Sequence, residues 1–326
     1  MTYLKFLFYI LLFLITILFE SLIRIKKPKK QFDKEDHSFN KTKIAVCFST
    51  DDNLVYPTLV SMTSVAENAG PNTYYNIYVL HPGKFDMEKN EKILKSVEKK
   101  HHKQCSVILI NMTNKYEGLE FMGKRTNAPT FYRLELHNLL PKVNRAIWLD
   151  SDTMVFEDLT ELIKIDMKGN YVMGFLDSMF RAMEIFGIKN ATVICAGVLL
   201  LDLEALRKNN YTEKFNRFMI EEKDRITTFD QTIINAVLHD KIGKLPAKYG
   251  IWGLSEREGL IHNNVQRSWL KYNKTEYLNA LYHPAIMHFV SPKPYRKTKM
   301  RFFEKWLNYA NISGYYNEIY QYRENH

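Results

Sequence analysis

In the body of the chain, short apolar runs alternate with longer segments whose apolar residues recur at helical spacing. Residues 44–48, 75–80 and 106–110 are apolar runs of strand length, and residues 88–100 are predicted to form a charged amphipathic helix. Pro57 suits the first turn of another helix, which begins after the first run. Strands that alternate with helices form a parallel sheet with helices packed on its faces. The pattern therefore predicts an α/β fold.

The same alternation continues through the second half of the chain. It predicts further strands over residues 145–149, 171–176, 193–201 and 282–290, and further helices over 130–140, 212–222, 231–239 and 300–309. We expect one Rossmann-like domain with a mostly parallel central sheet over residues 43–296, followed by a helical tail over 297–326. The tail is basic and aromatic, and we expect its helix to dock on the core, with a membrane-facing role as the alternative.

The N-terminal segment has a different pattern from the rest of the chain. Residues 6–19 are almost wholly apolar, and the segment up to Ile23 reaches the lower end of the length needed to span a bilayer. We therefore predict a transmembrane anchor or signal-anchor over residues 1–23 and a basic linker over 24–42, with a cleaved signal peptide as the rival. Basic residues are denser after the apolar run, which favours a cytoplasmic body, and a lumenal body stays open.

Composition narrows the class of protein. The 326 residues are 46% hydrophobic and 25% charged, which is typical of a globular chain with a full core. The net charge of +10 is scattered apart from one cluster at residues 24–30, so we do not expect a nucleic-acid partner. Cys47, Cys105 and Cys195 form no disulfide framework and no C-x-x-C motif. We expect Cys47 and Cys195 to be buried, inert thiols because they lie in apolar runs.

The apolar run that ends at Leu149 leads directly into two carboxylates, Asp150 and Asp152. Residues two apart on a strand point to the same side, and open α/β sheets bind ligands at the carboxyl ends of their strands. Two carboxylates in this arrangement can hold a divalent cation, which can in turn bind a diphosphate. The alternative is a polar loop after a core strand, because Asp-x-Asp is a short motif.

Polar groups also follow two other predicted strands, and in a doubly wound sheet these ends share one edge. They are Ser49, Asp51 and Asn53 after the first strand, and His288 and Lys293 after the last. Two carboxylates and one imidazole suit Mn2+ or Mg2+ with phosphate oxygens completing the shell. Lys293 could neutralise a phosphate as a compact point charge.

Six motifs in order make the chain resemble glycosyltransferase family 8, the retaining nucleotide-sugar enzymes that include lipopolysaccharide glycosyltransferases and glycogenin. The motifs span roughly residues 43–296 and are Phe48-Ser-Thr-Asp-Asp-Asn53, Thr130-Phe-Tyr-Arg-Leu134, Trp148-Leu-Asp-Ser-Asp152, Ala196-Gly-Val-Leu-Leu200, Phe229-Asp-Gln231 and His288-Phe-x-x-Pro-Lys-Pro294. The resemblance implies a GT-A type fold, a UDP-sugar donor, a saccharide or glycoconjugate acceptor, and Mn2+. It departs at Cys195, where the family usually has Asn, and at Ser291, where it usually has Gly.

The resemblance also implies residue roles. Those of the donor and metal sites are uridine and ribose contacts from Ser49, Asp51 and Asn53, donor contacts from Arg133, Asp150 and Ala196, metal ligation by Asp150, Asp152 and His288, and diphosphate binding by Lys293. Three further residues, Asp177, Asp230 and Gln231, would line the sugar pocket and are the catalytic candidates. A carboxylate nucleophile is usual for retention in glycosidases, and an amide such as Gln231 is a poor nucleophile.

We therefore hypothesise front-face attack by the acceptor hydroxyl, with the leaving phosphate oxygen accepting its proton. A covalent intermediate on Asp177 or Asp230 is the alternative. The expected function is a membrane-tethered retaining glycosyltransferase that moves a hexose, glucose or galactose, from a UDP-sugar. A catalytically inactive nucleotide-sugar-binding protein of the same fold and a metal-dependent nucleotidyl or phosphoryl transferase remain as alternatives.

Overall fold

The computed structural model describes residues 41–177, 181–252, 272–297 and 300–326. Its centre is a seven-stranded sheet in the order β10-β8-β9-β6-β1-β2-β3. The strands of this sheet are β1 Thr42–Ser49, β2 Thr73–His81, β3 Cys105–Asn111, β6 Arg145–Leu149, β8 Val172–Leu176, β9 Ile194–Asp202 and β10 Ile242–Lys244. Strand β9 is antiparallel to both of its neighbours, and the other four pairings are parallel. The expectation of a mostly parallel sheet is confirmed.

The direction of β9 decides which residues share the functional edge of the sheet. Strands β1 and β6 run in the same direction, with Cys47 opposite Trp148. Because β9 runs the other way, its amino end meets the carboxyl ends of β6 and β8, and the Asp150 amide donates to the Gly197 carbonyl (2.8 Å). The segments that follow β1, β6 and β8 therefore meet the beginning of β9 along one edge.

A separate three-stranded sheet lies beside this edge. It consists of β11 Tyr249–Trp252, β12 Ile286–His288 and β7 Thr153–Val155, and β12 is antiparallel to β7 with His288 opposite Thr153. The strand predicted over residues 282–290 is therefore too long, and the strand that forms belongs to the three-stranded sheet and not to the central one. Tyr282 ends a helix, and Pro284 cannot donate a strand hydrogen bond, so the strand begins only at Ile286. A small hairpin, β4 Glu120–Phe121 with β5 Lys124–Arg125, completes the sheets of the described residues.

Helices alternate with the strands and extend to the end of the chain. They are α1 Val55–Glu67, α2 Met87–Lys100, α3 Leu136–Leu139, α4 Thr160–Ile163, α5 Arg181–Glu184, α6 Leu203–Lys208, α7 Tyr211–Glu221, α8 Phe229–Val237, α9 Lys274–Tyr282, α10 Phe303–Ser313 and α11 Tyr316–Glu324. The predicted helix over 130–140 is mainly a 3-10 helix, Ala128–Glu135, which continues into the one-turn α3. The other predicted helices agree with the structure to within a few residues at each end.

The C-terminal tail docks on the core, as expected from its apolar positions. Helix α10 packs on α1 and buries Trp306, which is 2% exposed. The Asn68 side chain donates to the Tyr309 hydroxyl (2.8 Å), and the Tyr322 hydroxyl of α11 donates to the Asn53 carbonyl. Helix α1 is consequently almost wholly buried, because α2, β7 and both helices of the tail pack against it.

Within the described residues, no helix has both the length and the apolar content needed to cross a membrane. The anchor expected over residues 1–23 and most of the linker over 24–42 lie outside the described residues. Membrane attachment and the cytoplasmic location of the body therefore stay predictions.

Candidate active site

The structure brings Asp150, Asp152 and His288 together. One ligand atom from each residue lies within 4.8 Å of the others. The His288 Nε2 atom is 3.1 Å from Asp152 Oδ1 and 3.8 Å from Asp150 Oδ2. The sequence pattern placed His288 after a strand of the central sheet, but His288 lies on β12 of the three-stranded sheet. The pairing of β12 with β7 places its imidazole next to the acids that precede β7.

The buried Asp152 carboxylate of this cluster is paired on both of its oxygens. Asp152 pairs through one oxygen with His288 and through the other with the Lys293 ammonium. Burial alone would raise the pKa of Asp152, but Lys293 and His288 outweigh burial and hold the pKa below its usual range. Burial would lower the pKa of His288, and Asp152 raises it instead. Asp152 is therefore a carboxylate at neutral pH, which is the form that binds cations.

The Arg133 guanidinium holds the neighbouring carboxylates in place. Its Nη2 is 2.7 Å from Asp150 Oδ1, its Nε is 3.0 Å from Asp230 Oδ2, and its Nη1 donates to the Ala196 carbonyl. The guanidinium also lies over the Trp148 ring, 4.5 Å from the centroid. Because the side chain is 6% exposed and its donors face protein groups, this structure shows it orienting Asp150. The predicted donor contact of Arg133 stays a prediction.

The three candidates for the sugar pocket form a second polar cluster. Gln231, in the first turn of α8, accepts from the Ala196 amide (3.1 Å) and donates to Asp177 Oδ2 (2.9 Å). Asp177 directly follows β8 and is 4% exposed. Burial, which Arg133 only partly opposes, raises the pKa of Asp230 to about 6. The cluster adjoins the first one because the Ala196 carbonyl bonds Arg133.

The residues after β1 form a turn at the same edge. Asp51 Oδ1 accepts from the amides of Asn53 and Leu54 (3.0 Å each), and Asp51 Oδ2 accepts from the Asn127 side chain (2.9 Å). Asp51 thereby organises the turn that starts α1. Ser49, the last residue of β1, is partly exposed, and the Asn53 side chain is exposed. The turn lies beside the acids that follow β6, and its contacts with the nucleoside stay a prediction.

Several residues near the site were not predicted. The Trp148 indole donates to Asp150 Oδ1 (2.8 Å), so two donors orient this carboxylate. The Tyr132 hydroxyl is buried without a hydrogen-bond partner, and burial raises its pKa to about 12. Gly197 lies against the His288 ring. All three residues lie within the family motifs, which assigned them no role, and Gly197 also had a local signal, because glycine inside a buried strand indicates a close approach.

The cluster fits a divalent cation by its chemistry. Two carboxylates and one imidazole nitrogen form a donor set suited to Mn2+, and also to Mg2+. Asp152 Oδ1 is buried and makes no hydrogen bond of good geometry, although His288 is near. A buried carboxylate oxygen in that state is a ready ligand atom. The ion itself is not identified by this geometry.

Comparison with known proteins decides the family. The model of the Glycosyl transferase family 8 matches residues 45–299. The chain belongs to glycosyltransferase family 8. The sequence is 25% identical over 209 residues to General stress protein A of Bacillus subtilis, covering 62% of this chain and 71% of that protein. It is 26% identical over 187 residues to the glycosyltransferase GlyB of Streptococcus pneumoniae, covering 57% of this chain and 43% of GlyB.

Two solved structures share the fold. The bifunctional glycosyltransferase WbbM superposes with a TM-score of 0.70 at 20% identity, covering 87% of this chain and 52% of WbbM. The galactosyltransferase LgtC, solved with donor and acceptor sugar analogues, superposes with a TM-score of 0.66 at 20% identity, covering 82% of this chain and 96% of LgtC. The fold of this family 8 chain is therefore that of the GT-A glycosyltransferases.

Proposed function

We propose that this family 8 chain is a retaining hexosyltransferase that uses a UDP-sugar and Mn2+ and transfers glucose or galactose to a saccharide or glycoconjugate hydroxyl. The observation that carries the proposal is the meeting of Asp150, Asp152 and His288 within 4.8 Å. Their positions in the fold support it, because nucleotide-type ligands bind at the carboxyl edge of an open α/β sheet. Membership of the family and the position of the turn after β1 at the same edge support a nucleotide-sugar donor.

In this proposal, Asp150, Asp152 and His288 hold the cation. A divalent cation bound there would stabilise the negative charge that develops on the departing diphosphate. Lys293, which pairs with Asp152 in this structure, would contact the diphosphate. The turn formed by Ser49, Asp51 and Asn53 would contact the nucleoside. Residues Asp177, Ala196, Asp230 and Gln231 would line the pocket for the transferred sugar.

The contacts of the candidate nucleophiles support front-face attack. Asp230 is 6% exposed and pairs through Oδ2 with the Arg133 guanidinium. Asp177 is 4% exposed and accepts from the Gln231 amide. Gln231 is itself a neutral amide. Pairing with a cation or an N–H donor lowers the nucleophilicity of a carboxylate, which favours attack by the acceptor hydroxyl. We therefore assign these residues to positioning the sugar.

The test is a screen of UDP-sugars with the full chain. We expect release of UDP from one or two hexose donors in the presence of Mn2+, and little release when the metal is chelated. Asp152→Asn should abolish the metal-dependent part, because an amide oxygen carries no charge. Asp240→Asn is the matched control, since Asp240 is an exposed acid with a 59% exposed side chain.

Each alternative has its own result. Release of uridine monophosphate or free diphosphate would indicate a phosphoryl or nucleotidyl transferase. Binding of UDP-sugar without turnover in any acceptor mixture would indicate an inactive binding protein. Full activity in Asp152→Asn would contradict the metal assignment, and a glycosyl adduct trapped on Asp177 or Asp230 would contradict front-face attack.

A further inference from the structure

The orientation of the His288 ring requires an explanation beyond its place on β12. Its Nε2 faces the two carboxylates, 3.1 Å from Asp152 Oδ1 and 3.8 Å from Asp150 Oδ2. The side chain is 7% exposed, so water has little access to its other nitrogen. A histidine that ligates a metal through Nε2 carries its proton on Nδ1, and a partner at Nδ1 fixes the ring. The question is which group in this chain supplies that partner.

The partner at Nδ1 is the thiol of Cys195, on the facing strand β9. The Sγ atom lies 3.6 Å from His288 Nδ1, and both residues are buried. A thiol sulfur is a weak acceptor and a weak donor, so it can accept a hydrogen bond from the Nδ1–H group. The sequence interpretation of Cys195 as an inert core thiol is therefore incomplete, because the thiol has a polar contact with a candidate metal ligand.

Gly197 supplies the space for the same ring. A Cβ atom built on Gly197 would lie 2.0 Å from His288 Cε1, 2.5 Å from Nε2 and 2.6 Å from Nδ1. The ring therefore rests directly on the backbone of β9, and any side chain at this position would displace it. Cys195 and Gly197 are two residues apart, so they lie on the same face of the strand. One provides a partner for the ring and the other provides room for it.

We infer that Cys195 and Gly197 form a seat on β9 that directs His288 Nε2 toward the carboxylates, and that Cys195 thereby raises the metal affinity of the site. Cys195 acts through His288 and is a positioning residue. The inference rests on the proposed metal site. It assigns a role to the position at which this chain departs from the Asn that is usual in the family.

The experiment measures Mn2+ binding to the full chain without donor, by the electron paramagnetic resonance signal of free Mn2+. We expect Cys195→Ala to weaken binding by about 10- to 100-fold, the usual effect of removing a partner of a ligating histidine. Cys195→Ser should bind Mn2+ with close to the wild-type affinity, because its hydroxyl can accept the same hydrogen bond from His288 Nδ1. Gly197→Ala should lose measurable binding. Cys105→Ala is the matched control, a fully buried thiol on the far edge strand β3.

Several outcomes separate the inference from the function on which it rests. Wild-type affinity in Cys195→Ala would overturn the inference and leave the metal site intact. Equal weakening in Cys195→Ser and Cys195→Ala would also overturn it, since loss of packing alone would then explain both. Failure of the wild-type chain to bind Mn2+ would contradict the metal site and the inference together. If Cys195→Ala does not fold, as judged by thermal unfolding, Cys195→Val takes its place with the same expectation.

A second measurement distinguishes positioning from general damage. In Cys195→Ala, the Mn2+ concentration that gives half-maximal UDP-sugar hydrolysis should rise by the same factor as the dissociation constant. The KM for the UDP-sugar at saturating Mn2+ should stay near the wild-type value. A raised donor KM with an unchanged Mn2+ requirement would instead place Cys195 in the sugar pocket and contradict the inference.

Discussion

Replacing Arg133 by Met tests whether the positive charge of the guanidinium stabilises the buried carboxylates of the site. Methionine keeps most of the apolar stem and removes the charge. Asp230, which is 6% exposed, loses the ion pair at 3.0 Å, and Asp150 loses the one at 2.7 Å. Removing one partner of a buried pair costs about 3–5 kcal/mol, because the remaining charge is left uncompensated.

The charge on Asp230 sets an upper bound on that loss. A carboxyl group can take up a proton instead of staying charged, and this costs about 1.36 kcal/mol for each unit by which the pH exceeds its pKa in the folded chain. Because the pKa of Asp230 is already about 6 in the folded wild-type chain, protonation at pH 7 adds at most about 1.4 kcal/mol. Asp150 adds little, since its side chain is 28% exposed and can be hydrated. We expect Arg133→Met to lower the free energy of unfolding by about 1–2 kcal/mol at pH 7.

Urea denaturation at several pH values is the assay. In the wild-type chain the pKa of Asp230 is already raised to about 6, so its contribution to stability falls between pH 3.8 and 6 and then levels off. In Arg133→Met the folded carboxyl stays protonated above pH 6, while the unfolded one is ionised. The folded variant thus binds more protons, and its stability deficit relative to the wild-type chain should widen by about 1 kcal/mol between pH 6 and 7.

A double-mutant cycle with Asp230→Asn completes the test. Adding Asp230→Asn to Arg133→Met should recover part of the lost stability, with a coupling energy of about 1 kcal/mol. A loss below about 0.5 kcal/mol in Arg133→Met at pH 7, or no coupling in the cycle, would refute the reasoning. Either result would mean that hydration, and not the guanidinium, stabilises Asp230.

Three further changes test other parts of the structure. Lys293→Met should tighten Mn2+ binding in the absence of donor, because the ammonium competes with the cation for Asp152. It should weaken UDP binding, because the ammonium would contact the phosphates. Calorimetry with each ligand measures both affinities, and a change of the two affinities in the same direction would contradict the prediction. Burial lowers the pKa of His137 to about 4, so the contribution of this residue to stability should fall by about 3 kcal/mol from pH 6.5 to 4. The stability of the wild-type chain relative to His137→Gln, measured by urea denaturation, should therefore fall by that amount over the same range. Trp306→Ala should cost about 3–5 kcal/mol by the same method, and a cost below about 1 kcal/mol would show that α10 is not part of the cooperative core.

The part of the site that lies on one sheet edge could be predicted from the sequence. Strand alternation and the position of Asp150 and Asp152 after an apolar run are local features, and the parallel rule then places them near Asp51. The structure agrees on that edge because β1 and β6 are adjacent and parallel. The resemblance to the family also came from local motifs, and the family model that matches residues 45–299 confirms the family.

The route by which His288 reaches the site could not be predicted. It depends on the pairing of two three-residue strands, β7 and β12, which are far apart in the chain. Strands of that length carry too little periodicity to be distinguished from the end of a helix, and the sequence pattern extended this one back to Tyr282. The seat formed by Cys195 and Gly197 could not be predicted for the same reason, because these residues contact His288 only through the position of β12.

The central claim is that Asp150, Asp152 and His288 share one cation, and anomalous diffraction tests it most directly. A crystal of the full chain grown with Mn2+ and UDP would be measured at the manganese absorption edge. We expect one strong anomalous peak within about 2.6 Å of a ligand atom from each of the three residues. A peak that contacts the carboxylates with His288 turned away, or no peak at this edge of the sheet, would contradict the account.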